Sequence, residues 1–355
     1  MNNAVRIRIG TRASELALWQ AGLVKESLEE LGYSTVIIPI KSTGDIELVT
    51  PLYEMGITGI FTKHLDAALL DAKIDIAVHS MKDVPTALPE NIVQAAVLER
   101  ANVHDVLIYR DADNVLTKYD GKVATGSLRR KAQWLNRHPK HEVVGLRGNV
   151  NTRLKKLEDS DWNGAIFAKA GLERLGKALD NHMDLDWMVP APAQGAIMIS
   201  ARQDDEFVLE ACAKLNHEDS EICTFVERDF LRTLEGGCTA PIGALATVKH
   251  NLLLGGHIDF TGVLLSRDGQ KKFEISKTVK LSEAKTLGKE CAENIIAQGA
   301  KDVMRADAEL AAQQMARQAL TPVNPAVQKR AEAGAKKKDK TRAVLPKDME
   351  EKSRR

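Results

Sequence analysis

Along this chain the hydrophobic positions follow two alternating rhythms. Short apolar runs rich in β-branched residues, bounded by polar turns, alternate with stretches in which apolar residues recur every three or four positions. The runs predict strands over 5–9, 35–40, 74–78, 121–125, 142–146, 164–168 and 196–200. The longer rhythm predicts a helix carrying Leu16, Trp19, Leu23, Leu28 and Leu31, and others over 61–70 and 206–216. Continuous apolar strands suit sheets covered on both faces, and their alternation with helices argues for an α/β fold with largely parallel sheets. A further strand–helix set is expected after Pro89. Over 243–279 the rhythm changes to short alternating runs broken at Asn251, Gly255-Gly256 and Arg267-Asp268-Gly269. That pattern predicts a small antiparallel sheet, closed by a helix over 282–298.

Polar residues gather where the predicted strands stop, which is where ligands of α/β folds collect. Ile76-Ala77-Val78 runs into His79-Ser80-Met81-Lys82-Asp83-Val84-Pro85. These polar groups could do chemistry, or could only satisfy the backbone of a turn before proline. Gly10-Thr11-Arg12-Ala13-Ser14 turns a strand into a helix, Lys41-Ser42-Thr43-Gly44-Asp45 follows another strand, and 46–62 is expected to be a mobile loop over the site. Further on, Gly126-Ser127-Leu128-Arg129-Arg130, Arg147-Gly148-Asn149 with Arg153, and Lys169-Ala170-Gly171 with Arg174 stand at successive strand ends. Guanidinium groups bind carboxylate or phosphate through two parallel hydrogen bonds, so arginines on one rim imply a ligand with several negative charges. Any single one could equally pair with an acidic side chain.

Charge sharpens that argument. The tail from Pro322 carries eleven Lys and Arg against five Asp and Glu, so a net charge of +1 hides a mildly acidic body. Such a body is a poor nucleic-acid surface, and an anionic ligand must be met by a local basic cluster. No apolar run reaches membrane-spanning length and no apolar leader precedes the first strand, so the cytoplasm is the expected location. The four cysteines form no metal-binding or disulfide pattern, and no metal is expected. Cys212, Cys223 and Cys291 read as structural. Cys238 differs, because Leu234-Glu235-Gly236-Gly237-Cys238-Thr239-Ala240-Pro241-Ile242-Gly243 leaves its approach open. It could be a nucleophile, an attachment point, or one more buried thiol.

Taken in order, GTRAS with LALWQ from Gly10, DIAVHSMKDVP from Asp75, TGSLRR from Thr125, LRGNVNTR from Leu146, AGLERLG from Ala170, AQGA from Ala193 and LEGGCTAPIG from Leu234 resemble the porphobilinogen deaminase, or hydroxymethylbilane synthase, family. The resemblance implies two periplasmic-binding-protein-like lobes plus a small C-terminal α+β domain. It places domain 1 at 1–98 completed by about 194–214, domain 2 at 99–193 and domain 3 at 215–305, while the Ala-, Gln-, Lys- and Arg-rich composition beyond predicts a basic, largely disordered extension at 306–355. It implies a dipyrromethane cofactor attached through Cys238, and the head-to-tail condensation of four porphobilinogen molecules with release of ammonia. Asp83 takes the family's catalytic position. Ser14, Asp45, Lys82, Thr125, Ser127, Arg129, Arg130, Arg147, Gly148 and Arg153 match cofactor-side positions, and Arg12, Arg153, Arg174 and Gln194 substrate-side ones. A monomer that hands its product to the next enzyme of tetrapyrrole synthesis, and binds neither nucleic acid nor membrane, is the expected context.

The chain departs from the family's usual pattern at Thr58, where a loop lysine is common, and at His64 and His104. The competing reading is a non-enzymatic two-lobed binding module for a small polyanion. Such a module has no use for Cys238 on an open glycine turn. An enzyme of phosphorylated substrates would use the same helix starts, but neither a P-loop nor a dinucleotide fingerprint is present.

Overall fold

The computed structural model describes residues 6–41, 61–110, 120–177, 181–234, 240–250 and 255–320. The chain opens with β1 (Arg6–Arg12), α1 (Glu15–Glu30), β2 (Ser34–Ile40), α2 (Lys63–Leu70), β3 (Ile76–Ser80), a single 3-10 turn (Met81–Asp83) and β4 (Ile92–Val97). It then forms β5 (Asp105–Tyr109), β6 (Lys122–Ala124), α3 (Leu128–Arg137), β7 (Glu142–Val144), α4 (Val150–Glu158), β8 (Gly164–Ala168), α5 (Lys169–Arg174) and β9 (His182–Asp184). The last stretch holds β10 (Ile197–Arg202), α6 (Glu206–Ala213), α7 (Glu218–Thr233), β11 (Ile242–Lys249), β12 (His257–Leu265), β13 (Lys272–Lys280), α8 (Ala284–Ala297) and α9 (Ala300–Leu320).

The first two sheets follow one plan. One has the order β2-β1-β3-β10-β4, with β2, β1 and β3 parallel and β10 antiparallel to both its neighbours. The other runs β7-β6-β8-β5-β9, with β7, β6 and β8 parallel and β5 antiparallel to both its neighbours. Parallel strands therefore form one side of each sheet, and reversed strands extend it. Both faces are covered, as the unbroken apolar runs require. Along β5 and β8, Val106, Ala165 and Phe167 pack on one face, while Leu107 and Ile166 meet Trp134 on the other. The third sheet, β11-β12-β13, is antiparallel, and its core unites Phe230 of α7, Phe260 of β12 and Leu287 of α8.

Of the strand–helix set expected after Pro89 the strand forms, as β4, and residues 98–104 that follow it are not helical. β4 leads to β5 without an intervening helix, because residues 98–104 are pinned as a crossing between sheets. Leu98 donates its N–H to Ile197 O at 3.0 Å, and Arg100 donates from Nε to Gln194 O at 2.8 Å. Chain beyond Met304 separates as a unit of its own, whose described part is the remainder of α9. Among the described residues no helix is long and apolar enough to cross a membrane.

Candidate active site

Three of the parallel strands, β1, β6 and β7, stop at the same kind of junction. Ser14 caps α1, accepting the Ala17 N–H at 3.4 Å, and Ser127 caps α3, accepting the Arg130 N–H at 3.4 Å. Thr125 accepts the Ser127 N–H at 3.2 Å, and Asn149 caps α4 by accepting the Thr152 N–H at 2.9 Å. Small polar residues at these points satisfy N–H groups that a helix start leaves open. Gly148 sits at φ +116°, where a Cβ would lie 2.7 Å from Thr152 Cγ2, so the turn that displays Arg147 needs glycine.

A residue overlooked in sequence organises the cluster. Asp105, at the start of β5, is fully buried. Its Oδ2 accepts from Arg129 Nη1 at 2.6 Å, and its Oδ1 accepts from Arg130 Nε at 3.0 Å and Nη2 at 2.8 Å. Gln194 donates from Nε2 to the same Oδ1 at 2.9 Å and accepts from Lys82 Nζ at 3.3 Å. Burial disfavours the charged carboxylate, yet Arg129 and Arg130 overcome this and hold Asp105 well below the usual range. The signal was present in sequence: an acid heading the apolar run Val106-Leu107-Ile108 must find cations or lose its charge.

The surrounding charges are mostly positive. Burial, then the nearby Arg130, brings the Lys82 ammonium down to about 8, although Asp83 and Asp105 oppose the shift. Burial, then Arg130 and Arg147, brings Arg153 down to about 10, again against the pull of Asp83. Asp83 is thus the acid whose charge reaches Lys82, Arg130 and Arg153 together. Arg12, stacked on the Phe61 ring at 4.2 Å, adds its field at Arg153 and at buried His79. Arg174 stands apart from this group. It lies over Trp19 at 5.6 Å and donates from Nη2 to Gly195 O at 2.7 Å.

Can these residues hold a polycarboxylate? The buried Nε atoms of Arg129 and Arg153 have no hydrogen-bond partner, and burial followed by like charges depresses Arg153. A ligand bearing several carboxylates would answer both deficits, so the residues fit such a group. Asn151 at the start of α4 donates to Glu15 at the start of α1. Arg100 and Glu227 form a second buried pair at 2.6 Å, and Glu227 also accepts the Ala193 N–H at 2.7 Å. Sequence reasoning missed that pair, whose members lie far apart along the chain.

Cys238, Asp45, Thr58 and the tail beyond Leu320 lie outside the described residues. The described cysteines, Cys212, Cys223 and Cys291, are buried, which pushes their thiols up to about 12, 11 and 11 and leaves little thiolate at neutral pH.

Two family models match the chain. Residues 7–210 match "Porphobilinogen deaminase, dipyromethane cofactor binding domain", and residues 221–297 match "Porphobilinogen deaminase, C-terminal domain". The porphobilinogen deaminase of Syntrophotalea carbinolica is 39% identical over 305 residues, covering 84% of this chain and 95% of that one. That of Pelotomaculum thermopropionicum is 41% identical over 304 residues, covering 84% and 96%. Among solved structures, the VFT2 domain of Bordetella pertussis BvgS aligns with a TM-score of 0.38 and 12% identity, over 59% of this chain and 85% of that one.

Proposed function

The chain belongs to the porphobilinogen deaminase family, and on that premise we propose that Asp83 is the carboxylate that stabilises the pyrrole cation formed during catalysis, within a cradle of arginines that holds the growing chain. The enzyme is a transferase of tetrapyrrole biosynthesis. It condenses four porphobilinogen molecules head to tail, releases ammonia, and gives hydroxymethylbilane on a covalently bound dipyrromethane primer. The reading as a non-enzymatic binding module is not favoured. When bound, the dipyrromethane supplies the pyrrole carbon to which the first substrate joins.

The observation that carries the proposal is the position of Asp83, on the turn that follows β3, where its charge favours the protonated forms of Lys82, Arg130 and Arg153. Porphobilinogen carries two carboxylates per pyrrole, so each addition raises the ligand's negative charge. Arg147 and Arg153 would take these carboxylates on the cofactor side, with Lys82, Ser14, Thr125, Ser127 and the Gly148 backbone beside them. Asp45 completes that set. Arg129 and Arg130, already neutralised in part by Asp105, would supply their remaining N–H groups. Arg12, Arg153, Arg174 and Gln194 would receive the incoming substrate. Loss of ammonia leaves positive charge on a pyrrole, and a fixed carboxylate hydrogen-bonded to pyrrole N–H stabilises that charge without reorganisation. Asp83 also stands to relay protons to the leaving amine and from the new carbon–carbon bond.

We further place domain 1 at 1–98 completed by about 194–214, domain 2 at 99–193 and domain 3 at 215–305. Membership of the three sheets supports this, since β10 returns to the first sheet after β9 ends the second. A cytoplasmic monomer that passes its product to the next enzyme of the route completes the proposal, and the free thiols among the described residues suit a reducing compartment.

Intact-mass measurement tests the assignment. The purified protein should carry an adduct of two linked pyrrole units, absent from Cys238→Ser. A folded, well-expressed sample with unmodified mass and no turnover of porphobilinogen overturns it.

A further inference from the structure

Three backbone carbonyls behind the catalytic turn converge on one side chain. Arg228, on α7, donates from Nη1 to Val84 O at 2.9 Å and to Met81 O at 3.4 Å, and from Nη2 to Pro85 O at 2.6 Å. Met81 O is shared, because it also accepts the Val84 N–H at 3.1 Å that closes the 3-10 turn. We propose that Arg228 is a positioning residue for the reaction, whose guanidinium clamps the backbone of residues 81–85 and so fixes where the Asp83 carboxylate points. The inference rests on the role given to Asp83 above.

The chemistry favours a clamp over a simple packing contact. A 3-10 turn of three residues has poor internal hydrogen bonding and little stability of its own. Its carbonyl end is electronegative, and a planar fork of fixed geometry can serve several such oxygens at once, which a lysine ammonium on a flexible stem does less well. Behind the turn lies a cavity of about 620 Å3, lined by Met81, Thr86, Phe225 and Arg228 among others, with neither Lys82 nor Asp83 among its lining residues. Water can therefore take over the carbonyls if the guanidinium is removed. The turn would then persist but wander, so the loss falls on precision rather than on folding.

The helix that carries Arg228 makes the clamp consequential. Its neighbour Glu227 accepts from the N–H of Ala193, between β9 and β10, and from that of Ala246 in β11, at 2.7 and 2.8 Å. α7 ends at Thr233, so the chain passes to the segment bearing Cys238 within a few residues. One helix thus ties the turn of Asp83 to the connection between β9 and β10 and leads into the segment expected to hold the cofactor.

The test uses Arg228→Lys and Arg228→Ala in the holoenzyme, with Asp83→Asn and the Arg228→Lys/Asp83→Asn double variant. Arg228→Lys should fold, keep the dipyrromethane mass, hold KM within about threefold and lose roughly 10- to 100-fold in kcat, the scale of a misplacement near 1 Å. Amide hydrogen exchange at Met81, Val84 and Thr86 should accelerate in both Arg228 variants. On the Asp83→Asn background the lysine substitution should cost less than threefold, because its effect passes through Asp83. Unchanged exchange at the turn, or an unchanged kcat in Arg228→Lys, overturns the clamp, and so does full multiplicative loss in the double variant. If Asp83→Asn alone keeps full turnover while the turn's exchange still accelerates, the role of Asp83 fails and the backbone clamp stands.

Discussion

Arg130 donates from Nε to Oδ1 of Asp105 at 3.0 Å, so one of the arginines that the sequence marks for an anionic ligand already has a counter-ion inside the protein. Asp105 holds Arg129 in the same way, at 2.6 Å. One carboxylate thus holds two guanidinium groups and offsets their mutual repulsion, and the Gln194 amide bridges it to Lys82 by hydrogen bonds.

Asp105→Asn keeps the shape of the side chain and removes its charge. Two buried guanidinium groups would then face one another, and urea unfolding should show a loss of about 3–5 kcal/mol. A loss under about 1 kcal/mol, the scale of an exposed pair, would mean that water already screens the cluster.

Asp83→Asn should keep the covalent adduct by intact mass while turnover falls about 100- to 1,000-fold, the scale for removing one preorganised charge-stabilising group. Unchanged turnover would assign the cation to another residue.

Lys82 gives a pH signature. Its pKa is about 8 in the native chain against 10.5 as the ordinary value, because burial and Arg130 disfavour its charge. Below pH 8 both native and unfolded chains hold the proton, and the native state bears the full penalty. Between pH 8 and 10.5 the unfolded chain binds more protons, so this group makes native stability rise with pH. In adduct-free Cys238→Ser, the urea midpoint should carry this rise, and adding Lys82→Met should remove its share. An identical pH dependence with and without Lys82 refutes the shift.

Gly195 holds φ +87°, and a Cβ there would lie 2.6 Å from Ala101 O. Gly195→Ala should cost about 1–3 kcal/mol in unfolding measurements. Because Arg174 donates to the Gly195 carbonyl, KM for porphobilinogen should rise as well. A stability loss with KM unchanged would separate Arg174 from the incoming substrate.

Sequence alone determined the features that depend on local chemistry. The apolar rhythm located the strands, and the small polar residues after them, Ser14, Ser127 and Asn149, are caps that satisfy the N–H groups of the next few residues. The ordered motifs were sufficient for the family. Only the tertiary structure decided which cations are compensated and which await a ligand. Asp105 meets Gln194 across 89 residues of chain, and Arg228 reaches Val84 across 144. No periodicity encodes such partners, because they are chosen by how separately formed sheets and helices pack. For the same reason the direct passage from β4 to β5 escaped the pattern. Leu98 and Arg100 in that passage are held by Ile197, Gln194 and Glu227, all contributed from later in the chain.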